Sequence, residues 1–373
     1  MKFICEKETL LTSIGQAKEF TTSRSSLSIS SNVFLKTVQN SLELRTTDNN
    51  LGFVTYINVK TIEEGETTVD CERLLDVLKG FSDISDIIAE TKEDILIVQP
   101  GGNSEKKFNF DLKTIESSEF PTMKNADDLT FFDFNSADLT DMIKQTSFAV
   151  STDETRRFLC GLFMHRTETG INMVATDGKR LSIVERKISE EIPLFPPAII
   201  PNKFIGCLKR FLSSDAKLEL AITDNLIGAR INENIFIYSA LVNGTFPKYN
   251  KIIPGEQKNK CILNISDMKD AINRVSIFVL DKSNKIYLQL RENKLTISSD
   301  VTDQGKASEI LECDYSGESC DIAINYEYLI NPLNVMEGEY FSLNFDSPER
   351  SIKLIPETGS HDYFHIVMPI QQI

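Results

Sequence analysis

The stretch ATDGKR at residues 175–180 sets a lysine behind a glycine, the pairing that cradles nucleotide phosphates in a P-loop. That loop needs an earlier glycine, so that backbone N–H groups can close on the phosphates, and a Ser or Thr to hold magnesium. Here those places are Met173 and Arg180, so a plain turn between strands is expected and nucleotide binding is not. The three histidines, His165, His361 and His365, form no H-E-x-x-H or other metal-ligand cluster. No G-x-S-x-G elbow is present. Asp48, Asp177 and Asp300 recur at comparable places, which suits turns better than paired catalytic carboxylates. No catalytic residue, metal or cofactor is therefore expected.

The seven cysteines (Cys5, Cys71, Cys160, Cys207, Cys261, Cys313 and Cys320) are scattered, odd in number and without a C-x-x-C pair. Free thiols in a reducing, cytoplasmic setting follow. The start, MKFICEKETLL, breaks its apolar run with Glu6, Lys7 and Glu8, and no run of 18 apolar residues occurs, so neither a signal peptide nor a membrane span is expected. With 55 acidic side chains against 40 basic ones, the net charge of −15 excludes gripping nucleic acid by bulk attraction, though not by a local basic face.

The elements that carry these residues are written three times. KETLLTSIGQAKEF, DLTDMIKQTSFAV and SDMKDAINRVSIFV align so that Leu10, Leu139 and Met268 correspond, as do Ile14, Ile143 and Ile272, each step being 129 residues. Phe3 and Phe132 precede the first two, and Asp48 and Asp177 follow, at the same spacing; Asp300 stands in the third unit after a step of 123. An ordered series of this kind marks an internal triplication. A second helical pattern recurs in CERLLDVLKGF (71–81), NKFIGCLKRFL (202–212) and YEYLINPLNVM (326–336), with a kink or early start expected at Pro332. Two-residue alternation in KLELAI, IFIYSALV and KIYLQLRENKLTISS predicts antiparallel strands around them. The predicted fold class is α+β: three similar domains, over residues 1–126, 127–254 and 255–373, each with two helices against antiparallel sheets. Connectors are expected near Asn125–Asp127 and Pro254–Glu256, where SEFPTMKNADD and GTFPKYNKIIPGEQ share a Phe-Pro.

MKF at the start, VATDGKRL and LVNGTFPKYNKIIP in the middle and HIVMPIQQI at the end make the whole chain resemble the bacterial DNA sliding clamp, the beta subunit of DNA polymerase III. The resemblance implies the DNA clamp fold and a head-to-tail homodimer whose helices line a ring around duplex DNA. It also implies a non-catalytic role in processivity, with the polymerase, the clamp loader and other proteins held through a short peptide. A ring needs many equivalent inward helices, which repetition supplies. It holds DNA topologically, so an acidic total is no obstacle.

Residue by residue, the resemblance assigns one wall of a partner-peptide pocket to Thr176, Gly178, Lys179, Arg180 and Leu181. It gives the rest to Pro247, Lys251, Ile252, Ile366, Val367, Met368, Pro369 and Ile370, with Leu159 and Ser351 as further lining. Lys179, Lys251 and the PIQQI tail depart from the family's pattern, which leaves the peptide preference open. Apolar anchors among a few polar groups suit capture of a short peptide, and a methionine can repack around different partners. DNA contact falls to Arg24, Arg73, Lys79, Asp153, Arg156, Lys203, Lys209 and Arg210. The dimer joint falls to Phe108 and Phe110 facing Ile277 and Phe278, with Lys106 and Lys107 pairing to acidic groups across it. Alternate apolar residues on an edge strand need such a cover. The competing reading is a repeat-built peptide-binding scaffold with no DNA role, which would have no use for the basic helix carrying Lys203, Lys209 and Arg210. An enzyme of unknown reaction ranks third.

Overall fold

The computed structural model describes residues 1–21, 28–101, 106–187, 192–280, 282–358 and 363–371. Among these residues are six α-helices and three antiparallel sheets. The strand Lys2–Glu6 runs directly into α1 (Lys7–Lys18), which buries Leu10, Ser13, Ile14 and Ala17 along one stripe. The helices α3 (Ser136–Thr146) and α5 (Ile265–Ser276) repeat it. Leu10, Leu139 and Met268 are 1%, 2% and 0% exposed, and Ile14, Ile143 and Ile272 are each 0%. The register read from the sequence thus holds at all six positions. Burying each such side chain stabilises by ~1.5–3 kcal/mol.

The second helix of each cycle is shorter. The carboxylate of Asp70 caps α2 (Cys71–Lys79) by accepting from the Arg73 backbone N–H at 2.9 Å. The next, α4, covers only Asn202–Leu208, so Lys209 and Arg210 lie in the turn beyond it and not on the helix expected over 202–212. Phe211 explains the early end: its ring turns back to lie 6.3 Å from Phe20 and 5.8 Å from Phe53. The last, α6 (Glu327–Leu333), stops one residue past Pro332, whose nitrogen has no hydrogen to donate. The disturbance expected at that proline takes the form of a short helix.

The turn aspartates need one correction. Asp48 Oδ1 accepts from the backbone N–H groups of Asn50 and Leu51, and Asp177 Oδ1 accepts from those of Lys179 and Arg180. Thr47 and Thr176 close the same two turns with their hydroxyls. In the third cycle Thr302 makes a similar but tighter pattern with Gly305 and Gln304, so Asp303 holds the position of Asp48 and Asp177, without their bonds to backbone N–H groups among the described residues. Asp300 instead accepts from the Tyr287 hydroxyl and pairs with Lys285. Thr-Asp, not Asp alone, is the repeated signature.

Contacts gather the chain into two compact units that do not follow the repeats. The first comprises 1–137 with 203–241 and holds one sheet of 13 strands. Within it, Leu51–Asn58 pairs antiparallel with Ile235–Ala240, so strands from the first and middle thirds of the sequence share one hydrogen-bonded sheet. The second unit comprises 138–202 with 242–373 and holds sheets of eight and four strands. There Arg180–Lys187 pairs with Tyr363–Val367, which joins the middle and last thirds in the same manner.

Candidate functional sites

The ATDGKR segment builds one wall of a shallow pocket in the second unit. Asp177 folds the turn, and Gly178 takes φ +93°, where an L side chain would be strained and its Cβ would meet Arg156 Nη1 at 3.0 Å. Arg180 is then fixed from three sides. Its Nε donates to Asp177 Oδ2 at 3.0 Å, its Nη2 donates to the Phe148 carbonyl at 2.6 Å, and its guanidinium lies 4.7 Å from the centre of the Tyr328 ring. Nη1 is buried and finds no partner among the described residues. Strand pairing brings Ile366 opposite Leu181, and the Met368 N–H donates to the Lys179 carbonyl at 2.9 Å. The pocket is lined by Thr176, Gly178, Lys179, Arg180 and Leu181 together with Ile252, Ile366 and Met368. Ile252 and Met368 are 56% and 45% exposed, which leaves them available to a ligand.

The remaining pocket candidates fall around this centre. Leu159 and Val367 are buried behind it, while Pro247 and Lys251 are exposed. Ser351 is half-buried and its carbonyl accepts from Gln257. Pro369 is buried, and the Ile370 N–H donates to Ala323 at 2.7 Å, so the tail is pinned to the four-stranded sheet. Sequence reasoning missed Phe148 and Tyr328, which orient Arg180. It also missed the role of His365, which is fully buried beside the Phe148 ring with neither ring nitrogen hydrogen-bonded to any described residue. Burial, and then the nearby Arg180 charge, push its pKa down to about 3, so this histidine is neutral.

Four of the basic candidates pair with acids. Arg24 lies outside the described residues. Arg73 and Lys79 are exposed on α2, the latter 3.8 Å from Asp76. Lys203 pairs with Asp48 at 2.5 Å and Arg210 with Glu19 at 2.6 Å, both within the first unit. Arg156 pairs with Asp153 at 2.9 Å and donates to the Asp177 carbonyl at 3.2 Å, so it braces the pocket turn. Thr155 and Arg156 together hold the Asp153 carboxyl below the usual carboxylate range.

The joint candidates are apolar and incompletely covered. Phe108 and Phe110 pack on buried Phe81 at 5.0 and 5.6 Å yet remain 36% and 38% exposed. The strand Phe110–Ile115 pairs along one side with Ile95–Pro100, but on the other side, among the described residues, only Thr114 and Ile115 have a strand partner. Lys106 reaches Asp83 of the same chain at 3.4 Å; Lys107 is exposed. In the second unit, Ile277 at the end of α5 is 72% exposed and Leu280 58%, while Phe278 is half-buried.

Six helices among the described residues, antiparallel sheets shared between repeats and a small apolar pocket edged by Arg180 define a three-domain protein of the DNA clamp class. Family models for the N-terminal, central and C-terminal domains of the DNA polymerase III beta subunit match residues 1–124, 133–248 and 250–371 in order. The beta sliding clamp of Treponema pallidum is 34% identical over 377 residues and that of Escherichia coli K12 28% over 373, each covering 100% of both chains. The crystal structure of the Pseudomonas aeruginosa DNA polymerase III subunit beta matches with a TM-score of 0.92 at 26% identity over 100% of both chains. The chain belongs to the bacterial beta sliding clamps, the non-catalytic subunits that confer processivity on DNA polymerase III. Membership implies a dimer, with DNA and the polymerase as partners. Among the described residues no helix is long and apolar enough to cross a membrane.

Proposed function

We propose that two copies of this chain join head to tail into a ring around duplex DNA, acting in the cytoplasm. In each copy the domains span residues 1–126, 127–254 and 255–373. The observation that carries this reading is that each compact unit leaves an apolar surface uncovered at these candidates: Phe108 and Phe110 beside a half-paired strand in the first, Ile277 and Leu280 in the second. Such surfaces are costly in water and favour mutual burial. Phe278 borders the second surface. Lys106 and Lys107 border the first and add little, since exposed ion pairs contribute about 0–1 kcal/mol.

The pocket around Arg180 takes a short peptide of the polymerase, the clamp loader or another partner. Its apolar floor of Leu181 and Ile366 and the exposed Ile252 and Met368 support an apolar anchor on that peptide, and the unpartnered Arg180 Nη1 supports a carbonyl or amide oxygen beside it. A glutamine followed by leucine and then a Leu or aromatic pair meets both needs. DNA is held weakly and without sequence preference by cations of the set Arg24, Arg73, Lys79, Arg156, Lys203, Lys209 and Arg210. Retention on a nicked circular duplex after loading tests the ring. Retention that is lost when the circle is cut linear is expected; equal retention on both would favour a scaffold that binds DNA, if at all, by contact alone.

A further inference from the structure

The two places where repeats join are built to one plan and finished differently. In the second unit, strand register sets Val174, Ile183 and Phe364 in a row across three strands, all apolar. The connector Phe246-Pro247-Lys248-Tyr249 crosses this face, and Phe246 and Tyr249, each 6% exposed, fill it. In the first unit the equivalent row reads Arg45, Val54, Phe236 and Arg230 across four strands. The equivalent connector reads Phe120-Pro121-Thr122-Met123, so a methionine stands where the other joint has a tyrosine. What remains is a cavity of about 450 Å³, floored by Val54 and Phe236 and roofed by Met123 and Ala126. That volume falls in the range of small-ligand sites.

The walls of this cavity are polar and fixed. Glu43 is 6% exposed; its Oε1 accepts from Arg45 Nε at 2.8 Å and from the Tyr56 hydroxyl at 2.9 Å. Its Oε2 takes no hydrogen bond from any described residue. Burial and then the Glu43 carboxylate push the Tyr56 hydroxyl up to about 12, so it stays protonated and keeps donating. Arg45 sits over Phe34 at 5.4 Å, and Arg230 over Phe131 at 4.1 Å with Glu219 at 3.5 Å. With strands ~4.8 Å apart, the two arginines stand about 14 Å apart across an apolar strip. Each is already balanced by a carboxylate; of the other charged lining residues Glu233 pairs with Lys217 at 3.5 Å, and Lys124 and Asp127 offset one another in sign, so the site asks for a neutral ligand. That ligand offers an N–H to Glu43, carbonyl oxygens to the arginines and an apolar side chain to Val54 and Phe236.

We propose that this cavity is a second peptide-binding site, taking a short uncharged main-chain segment whose amide N–H donates to Glu43 Oε2. The site is independent of the pocket around Arg180, which uses other residues of the other unit.

The full chain with ¹³C-methyl-labelled methionine separates the two sites, because Met123 lines the cavity and Met368 the other pocket. The probe is acetyl-leucyl-alanine amide at millimolar concentration, together with analogues in which an ester replaces each amide in turn. Saturable movement of the Met123 methyl signal is expected, with one ester binding about tenfold more weakly, as befits a lost hydrogen bond to a charged acceptor. Glu43→Gln should weaken the parent probe and shrink the difference between amide and ester. Met123→Tyr, copied from the other joint, should abolish cavity binding by calorimetry while the chain stays folded. Movement of Met368 alone, no saturation at Met123, or equal binding of the amide and every ester would each overturn the proposal.

Discussion

Lys203 Nζ lies 2.5 Å from Asp48 Oδ2, although 155 residues separate them. Asp48 already holds two backbone N–H groups of its turn, so one carboxylate both shapes a turn of the first repeat and receives a cation from α4. Lys203→Glu should therefore do two things. It should lower stability by about 1 kcal/mol or less, the worth of a half-exposed pair, and it should weaken retention on circular DNA at low salt. Lys203→Arg, which keeps both the pair and the charge, should hold the melting temperature and DNA retention near those of the parent. If Lys203→Glu lowered stability but left retention unchanged at every salt concentration, Lys203 would serve the fold alone.

Ile277→Asp combined with Leu280→Asp should give folded monomers by light scattering. Both side chains are mostly exposed in the single chain, so the fold tolerates the change while a buried joint would not. Phe278 is a poorer choice, because its ring lies against Gly305 within the same chain. An unchanged dimer mass would place the joint elsewhere.

A peptide carrying Gln, Leu and a Leu or aromatic pair should bind at the pocket around Arg180, and calorimetry should show that binding gone after removal of residues 369–373. The Ile370 N–H bond to Ala323 gives the mechanism: without it the segment that presents Met368 loses the anchor beyond its own bond to Lys179. Arg180→Met should weaken the peptide by tenfold or more, since it removes both the unpartnered donor and the contacts to Asp177 and Phe148.

His365 predicts an acid sensitivity with a definite sign. Its folded pKa of about 3 lies below the ordinary 6.5, so the unfolded chain binds a proton that the fold refuses. Its contribution is complete above the ordinary histidine pKa and is lost as pH falls towards the folded one, by about 1.4 kcal/mol per pH unit. Urea titrations of His365→Phe between pH 7 and 5 should show a smaller loss of stability than the parent. An identical slope would mean that other groups dominate.

The helical stripes were legible because each is local: Leu10 and Ile14, or Met268 and Ile272, declare a buried face from their spacing alone. The turns were half legible, since Asp300 lies three residues before the true counterpart Asp303 and only the Thr-Asp pair fixes the register. The compact units were not legible. They arise from pairings such as Thr55 with Ile235, and nothing in either strand names its partner. Lys203, Arg210 and Arg156 read as DNA contacts through the resemblance, and the acids they pair with come from distant turns for the first two and from three residues away for the third.

The backbone pairing of Leu51–Asn58 with Ile235–Ala240 makes the peptide connector between them mechanically redundant. Five residue pairs bridge these strands, from Thr55 with Ile235 to Leu51 with Ser239. A protease cut in the exposed stretch around Lys124 would thus sever the chain without parting it. The two fragments would remain one particle until denaturant peeled the strands apart, and expressed as separate halves they would have the template to find each other again.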